Sequence, residues 1–183
     1  MTETKTLAGV LAEPSGRSDG GGKFFAGLLE LVSGRETDGA LGACIRAYVL
    51  DWLAENPLNG FDDYVAGGYR RTYLGRCPQT GWEALVMSWQ EGSRTSVHAH
   101  PRFAGYFFAD GKFRVEQFDA VGPGRARLRE SVVVDAPVGF YAVGQDGSFE
   151  NHIHRITCLS ATGHSLHVYS DDALRGAVYA EEA

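Results

Sequence analysis

Residues 82–100 read Trp-Glu-Ala-Leu-Val-Met-Ser-Trp-Gln-Glu-Gly-Ser-Arg-Thr-Ser-Val-His-Ala-His. From Trp82 to Trp89 the stretch is apolar on both faces of a pleat, as expected of a barrel wall covered outside by helices or a second sheet. A turn containing Gly92 follows, and a second strand-like run ends on His98 and His100. The same pattern, short β-runs cut by Gly, Pro and Asp, continues from about Gly67 onward. It predicts strands near 68–74, 82–89, 94–100, 104–109, 113–118, 127–134, 138–143, 152–158 and 164–170. So many short strands with frequent turns predict a mainly β sandwich or small barrel.

Upstream the periodicity changes. Phe25, Leu28, Leu29 and Val32 share one helical face, with Gly34 as its stop, and Leu41, Ile45, Tyr48 and Trp52 mark a second helix. Thr37 or Asp38 caps the start of that helix, and Asn56-Pro57 ends it. Both stripes are read as core, since amphipathic helices usually bury that face. Residues 1–22 end in Ser18-Asp19-Gly20-Gly21-Gly22 and carry little apolar periodicity, so they read as a mobile tail. The expected organisation is that tail, then one domain over 23–183, with helices at about 23–56 and a barrel at about 67–171.

The chain has 183 residues, 44% of them hydrophobic, which suits one globular domain. A net charge of −6 argues against a nucleic-acid partner, because phosphate neutralisation needs clustered Lys and Arg. No apolar run is long enough to span a bilayer, and the N-terminus lacks the order of a signal peptide. The three cysteines, Cys44, Cys77 and Cys158, are odd in number and widely spaced, which fits a reducing compartment, with the cytoplasm as the default. The oligomeric state is not legible.

All six histidines fall between positions 98 and 167. His98 and His100 stand two apart in a strand, so both rings leave one face and can meet one metal ion. A third imidazole from a distant strand would make the pair specific, and His152 and His154 are the candidates.

Gly92, His98-Ala99-His100 and Gly111 together look like the first motif of the cupins, and Pro137-Val138-Gly139 with a later histidine resembles the second. Where the first motif usually carries a glutamate ligand, this chain has Ala104 and Gly105. Over roughly residues 67–171 the chain resembles the cysteine dioxygenase family of cupins. The matching segments are Tyr69-Arg70-Arg71, Ser88-Trp89-Gln90-Glu91-Gly92, Ser96-Val97-His98-Ala99-His100, Ile153-His154-Arg155 and Ser165-Leu166-His167-Val168-Tyr169-Ser170. The resemblance implies a jelly-roll-like cupin β-barrel with an N-terminal helical segment. It implies Fe(2+) held by His98, His100 and His154, with Ser165, His167 and Tyr169 as a catalytic relay. Arg71 would bind the substrate carboxylate, with Tyr69 beside it and Trp89 packing near the site. Arg71 shares a strand face with Tyr69 and Tyr73, whereas Arg70 faces the other way and Arg155 points away from the metal. His152 and His164 are read as structural or solvent-facing. The turn from Gly75 to Gly81 is about one residue longer than in animal members of the family, and Cys158 stands where the family commonly has asparagine.

The implied activity is addition of both atoms of O2 to the sulfur of L-cysteine, giving cysteine sulfinic acid. Three neutral imidazoles leave iron its full double charge, which favours a thiolate. With no cysteine at 104 or 105, Tyr169 is expected to be an unmodified phenol. The partners expected are a small thiol and O2, with no nucleic acid and no membrane. Three alternatives stand beside this reading: a dioxygenase for 3-mercaptopropionate, a biosynthetic cupin that carries cysteine oxidation on to sulfur–nitrogen bond formation, and a non-catalytic ligand-binding cupin.

Overall fold

Strands β3 (Glu83–Gln90), β4 (Val97–His100), β5 (Phe103–Asp110) and β6 (Lys112–Gly122) run out along the chain. Strands β7 (Arg125–Asp135), β8 (Val138–Val143), β9 (Asn151–Cys158) and β10 (Thr162–Tyr169) run back. The antiparallel pairs nest: β6 with β7, β5 with β8, β4 with β9, and β3 with β10. These strands are therefore one long hairpin, and its winding sends alternate pairs to opposite sheets. Pairs β3·β10 and β5·β8 lie in the first sheet, and β4·β9 and β6·β7 in the second. That winding defines a jelly roll, and the mainly β barrel is the one the sequence predicts. Gly111, at φ +86°, makes the tight turn from β5 into β6.

The computed structural model describes residues 9–12 and 19–182. All nine predicted strands are present, the first of them as β2 (Tyr69–Arg76), and two more extend the sheets. Strand β1 (Gly9–Ala12) runs parallel to β2 at the edge of the first sheet, whose order is β1-β2-β3-β10-β5-β8. Strand β11 (Val178–Glu182) bridges β4 and β7, closing the second sheet on itself. Within the stretch read as a tail, Gly9–Ala12 is thus strand and Asp19–Gly22 begins a helix. Residues 1–8 and 13–18 lie outside the described residues.

Two helices, α1 (Asp19–Val32) and α2 (Gly39–Glu55), pack on the outside of the first sheet. The Asp38 side chain accepts from the Leu41 N–H at 2.8 Å and so caps α2, while Gly34, at φ +66°, follows α1. The buried stripe of α2 is Leu41, Ile45, Val49 and Leu53, shifted by one residue at its far end from the predicted one. Tyr48 and Trp52 turn instead toward α1, where both rings meet Phe24 and the Tyr48 hydroxyl donates to the Phe24 carbonyl at 2.8 Å. No helix among the described residues is long and apolar enough to cross a membrane.

Strand alternation then sorts the first sheet into two cores. Ala84, Val86, Phe103, Phe107, Leu166 and Val168 face the helices. Leu85, Met87, Trp89, Ala104, Tyr106, Phe108 and Tyr169 face the barrel interior. Apolar residues on both faces of β3 are required because each face has its own partner layer. The interior face of β10, between β3 and β5, consists of Ser165, His167 and Tyr169. Placing three polar side chains in a buried barrel demands that each find a partner.

Candidate metal centre

His98 lies opposite His154 in the register of β4 and β9, and His100 lies two residues further along β4. The three rings close on one another, with centroids 4.5–4.9 Å apart. One nitrogen from each lies within 4.8 Å of the others, so the group can hold a metal ion. All three histidines are buried. Burial depresses their basicity, bringing His98 to about 4 and the other two well below the usual imidazole range. The rings are therefore neutral at physiological pH, which is the form that ligates.

Their hydrogen bonds leave the inner nitrogens open. His98 Nδ1 is 2.9 Å from the Ser96 carbonyl and His100 Nδ1 is 3.0 Å from the His152 carbonyl. Each Nδ1 must carry the proton to donate there, so each Nε2 keeps its lone pair. Three buried ring nitrogens, His100 Nε2 and both nitrogens of His154, have no hydrogen-bond partner among the described residues. Orphaned buried nitrogens are costly unless something binds them, and a metal ion answers that cost. Among the described residues no carboxylate or thiol joins the cluster. Ala104, on the interior face of β5, offers no donor atom to the cluster.

A directed chain of hydrogen bonds runs beside the cluster. The Trp89 indole N–H donates to Ser165 Oγ at 2.9 Å, and Ser165 Oγ is 2.7 Å from His167 Nε2. Ser165 is fully buried, and His167 is the only acceptor its hydroxyl hydrogen has among the described residues. Nε2 therefore accepts, Nδ1 carries the ring proton, and that N–H donates to the Tyr169 hydroxyl oxygen at 2.8 Å. Burial keeps His167 neutral, down at about 3, and pushes the Tyr169 phenol above its ordinary range. Tyr169 keeps its own hydrogen to donate elsewhere. Its ring stacks on that of His100, with centroids 5.6 Å apart and planes 14° from parallel.

Of the two neighbouring arginines, Arg71 is the inward one. It is 8% exposed, its Nε has no partner, and it has no carboxylate partner among the described residues. Its guanidinium carbon lies 5.6 Å from the centre of the Tyr69 ring, which packs on Trp89 at 4.9 Å. The Arg71 charge acts on His98, His167 and Tyr169, in each case in the direction expected of a nearby cation. Arg70, on the opposite face, lies 3.1 Å from Asp63. All nine residues singled out in the sequence thus converge inside one barrel, in or beside the cluster.

The remaining residues fall elsewhere. His164 is held outside the barrel interior between Asp110, at 2.9 Å, and Tyr64 and Asp62. Arg155 faces away and pairs with Glu116 and Glu181. Cys158 lies across from Phe113, about 13 Å along β9 from His154, with its thiol near the Ser160 carbonyl.

Two residues escaped the sequence reading. Tyr106 packs edge-on against His154 at 4.7 Å, and its hydroxyl lies 3.2 Å from His152 Nε2. Alternation with Ala104 and Phe108 marks position 106 as inward, but the apolar run around it hides a polar role. Glu83 carries no sequence signal at all. It is fully buried, with Oε1 accepting from the Ala173 N–H at 3.0 Å and Oε2 3.7 Å from Arg76, which also binds Asp172. Burial raises its carboxyl to about 7 despite the pull of the Ala173 N–H and Arg76. The folded chain therefore holds a proton that an unfolded chain releases near 4.5, so stability falls as pH rises from about 4.5 to about 7. Glu83→Gln is expected to flatten that decline, read as thermal midpoints between pH 5 and 8. Parallel pH profiles for the two proteins would contradict the assignment.

No family model matches the chain, and no curated protein does. Among solved structures it is similar to a cupin superfamily protein from Desulfitobacterium hafniense, at 13% identity over 64% of this chain and 90% of that one, with a TM-score of 0.49. It is also similar to an oxalate oxidase, at 16% identity over 63% of this chain, TM-score 0.47. A third is an acetylacetone dioxygenase from Acinetobacter johnsonii, at 16% identity over 56% of this chain, TM-score 0.41. The chain spans 56% of the oxalate oxidase and 59% of the acetylacetone dioxygenase. These three structural neighbours are thus a cupin superfamily protein, an oxidase and a dioxygenase.

Proposed function

We propose that this chain is an iron(II)-dependent thiol dioxygenase that adds both atoms of O2 to the sulfur of L-cysteine, giving cysteine sulfinic acid. The observation that carries the reading is Arg71, a buried guanidinium without an ion-pair partner among the described residues, set beside three neutral imidazoles and no carboxylate. A substrate that brings its own carboxylate completes the first charge, and one that brings a thiolate supplies the anion the second lacks. Iron(II) held by His98, His100 and His154 would supply a doubly positive centre that keeps the thiol ionised and activates O2.

The chain's own residues do the rest. Arg71 holds the carboxylate through paired charge-assisted hydrogen bonds and so fixes where the sulfur lies. Tyr69 and Trp89 form the wall against which that guanidinium is set. Tyr169 keeps its proton on Oη and offers it to charge that builds up on oxygen, while Trp89, Ser165 and His167 fix the direction of that offer. The reaction balances without a further reductant, because the electrons lost by sulfur are those gained by dioxygen. A ferrous centre and three unbridged cysteines would suit a reducing compartment such as the cytoplasm.

Oxygen uptake and product mass, measured with iron-loaded protein and a panel of cysteine, cysteamine and 3-mercaptopropionate, test this reading. Uptake with cysteine and the mass of the sulfinate are expected. Uptake confined to 3-mercaptopropionate would move the substrate, a cyclised product would move the reaction to sulfur–nitrogen bond formation, and no uptake with any thiol would end the reading.

A further inference from the structure

His152 is the only non-glycine residue with a positive φ among the described residues, at +49°. It sits where the ladder between β4 and β9 is broken. His98 pairs with His154, but His100 pairs with Asn151, so His152 and Ile153 stand opposite Ala99 alone. This is a β-bulge. Two residues apart on the strand, His154 enters the ligand cluster, whereas the His152 ring lies beside that cluster, 5.1 Å from His154 and 6.0 Å from His100, without joining it. The left-handed backbone swings the His152 carbonyl to the ring of His100, where it accepts from Nδ1 at 3.0 Å. The imidazole of His152 lies against Tyr106, with its Nε2 3.2 Å from the hydroxyl and the two rings 5.7 Å apart.

We propose that His152 is a positioning residue for His100, acting through its left-handed backbone rather than as a ligand. The inference rests on the reading of the three-histidine cluster as a metal site. By accepting from Nδ1, the carbonyl selects the tautomer that leaves His100 Nε2 as a lone pair and holds the ring facing His98 and His154. Side-chain chemistry at 152 then matters chiefly through what it allows the backbone to do. Glycine and asparagine enter the left-handed region readily, alanine poorly, and a β-branched residue least of all.

The test is Co(II) titration of the metal-free protein, followed by its visible absorption, in His152→Gly, His152→Asn and His152→Val. Loss of such an outer contact typically weakens metal binding about ten- to a hundredfold, and that loss is expected for the valine variant. The glycine and asparagine variants should stay within about threefold of wild type. Wild-type affinity in the valine variant would overturn the proposal, and so would equal losses in all three, which would assign the role to the imidazole. Should the valine variant fail to fold, His152→Ala against His152→Gly decides, since both lack the ring. The alanine variant is expected to bind about fivefold more weakly, and equal affinities would overturn the proposal. The His100 ring tautomer, read by 15N NMR of the metal-free protein, tests the contact without any metal. A proton on Nδ1 is expected in wild type and in the glycine variant, and a proton on Nε2 in wild type would overturn the proposal even if Co(II) bound.

Discussion

Tyr169→Phe is expected to keep its iron and its affinity for cysteine yet oxidise it about a hundred- to a thousandfold more slowly. The hydroxyl is the end of a chain in which every other hydrogen is already committed: Trp89 to Ser165, Ser165 to His167, and His167 to Tyr169. Only the phenolic hydrogen remains to be given away, and the ring that carries it stacks on His100. Tyr169 is 4% exposed, so water has little access to stand in for the lost donor. The phenylalanine ring preserves the stacking, which separates loss of the proton donor from loss of packing. Single-turnover rates with saturating cysteine are the measurement. A variant that turns over at the wild-type rate would remove Tyr169 from the chemistry. Peptide mapping should also find Tyr169 without a thioether link, since Ala104 and Gly105 offer no sulfur.

The second large effect is one of discrimination. Arg71→Ala is expected to raise the KM for cysteine roughly ten- to a hundredfold, because a charge-assisted hydrogen-bonded pair is worth about 1.5–3 kcal/mol. Cysteamine, which lacks the carboxylate, should be little affected. The comparison controls for general damage to the barrel, which would impair both substrates alike. The environment of Arg71 sharpens the expectation, since no carboxylate among the described residues neutralises it and its Nε is shielded from solvent. Arg70→Ala should leave both substrates unchanged, because that side chain faces Asp63. Equal losses on cysteine and cysteamine would refute the carboxylate role.

The barrel was legible because its strands alternate. Ser165, His167 and Tyr169 on one face of β10, with Leu166 and Val168 on the other, could be sorted from period two alone, and the structure separates them between two cores in that way. The two strands that went unread lack this signal. Gly9–Ala12 is a short run paired only along one edge, and Val178–Glu182 ends in acidic residues and is a strand only because β4 and β7 lie on either side of it. Such elements are made by their neighbours, and a local pattern does not contain the neighbours. The choice between His152 and His154 shows the same limit. Both stand at the right spacing, and with a bulge between them that no residue type announces, one joins the cluster while the other lies beside it, against Tyr106. Arg71 was placed correctly by strand parity with Tyr69, but that it lacks a carboxylate partner is a property of the folded chain. Glu83 is the extreme case, a carboxylate at the head of an apolar strand whose burial follows from the turn at Ala173.

The proposed reaction, in which one small barrel with three imidazoles passes a whole dioxygen molecule to a thiol, is read from the mass of the product that the iron-loaded protein forms from cysteine under 18O2. A sulfinate carrying two heavy oxygen atoms is the expected result. A product with one heavy atom or none, or cysteine recovered only as its disulfide, would contradict the account.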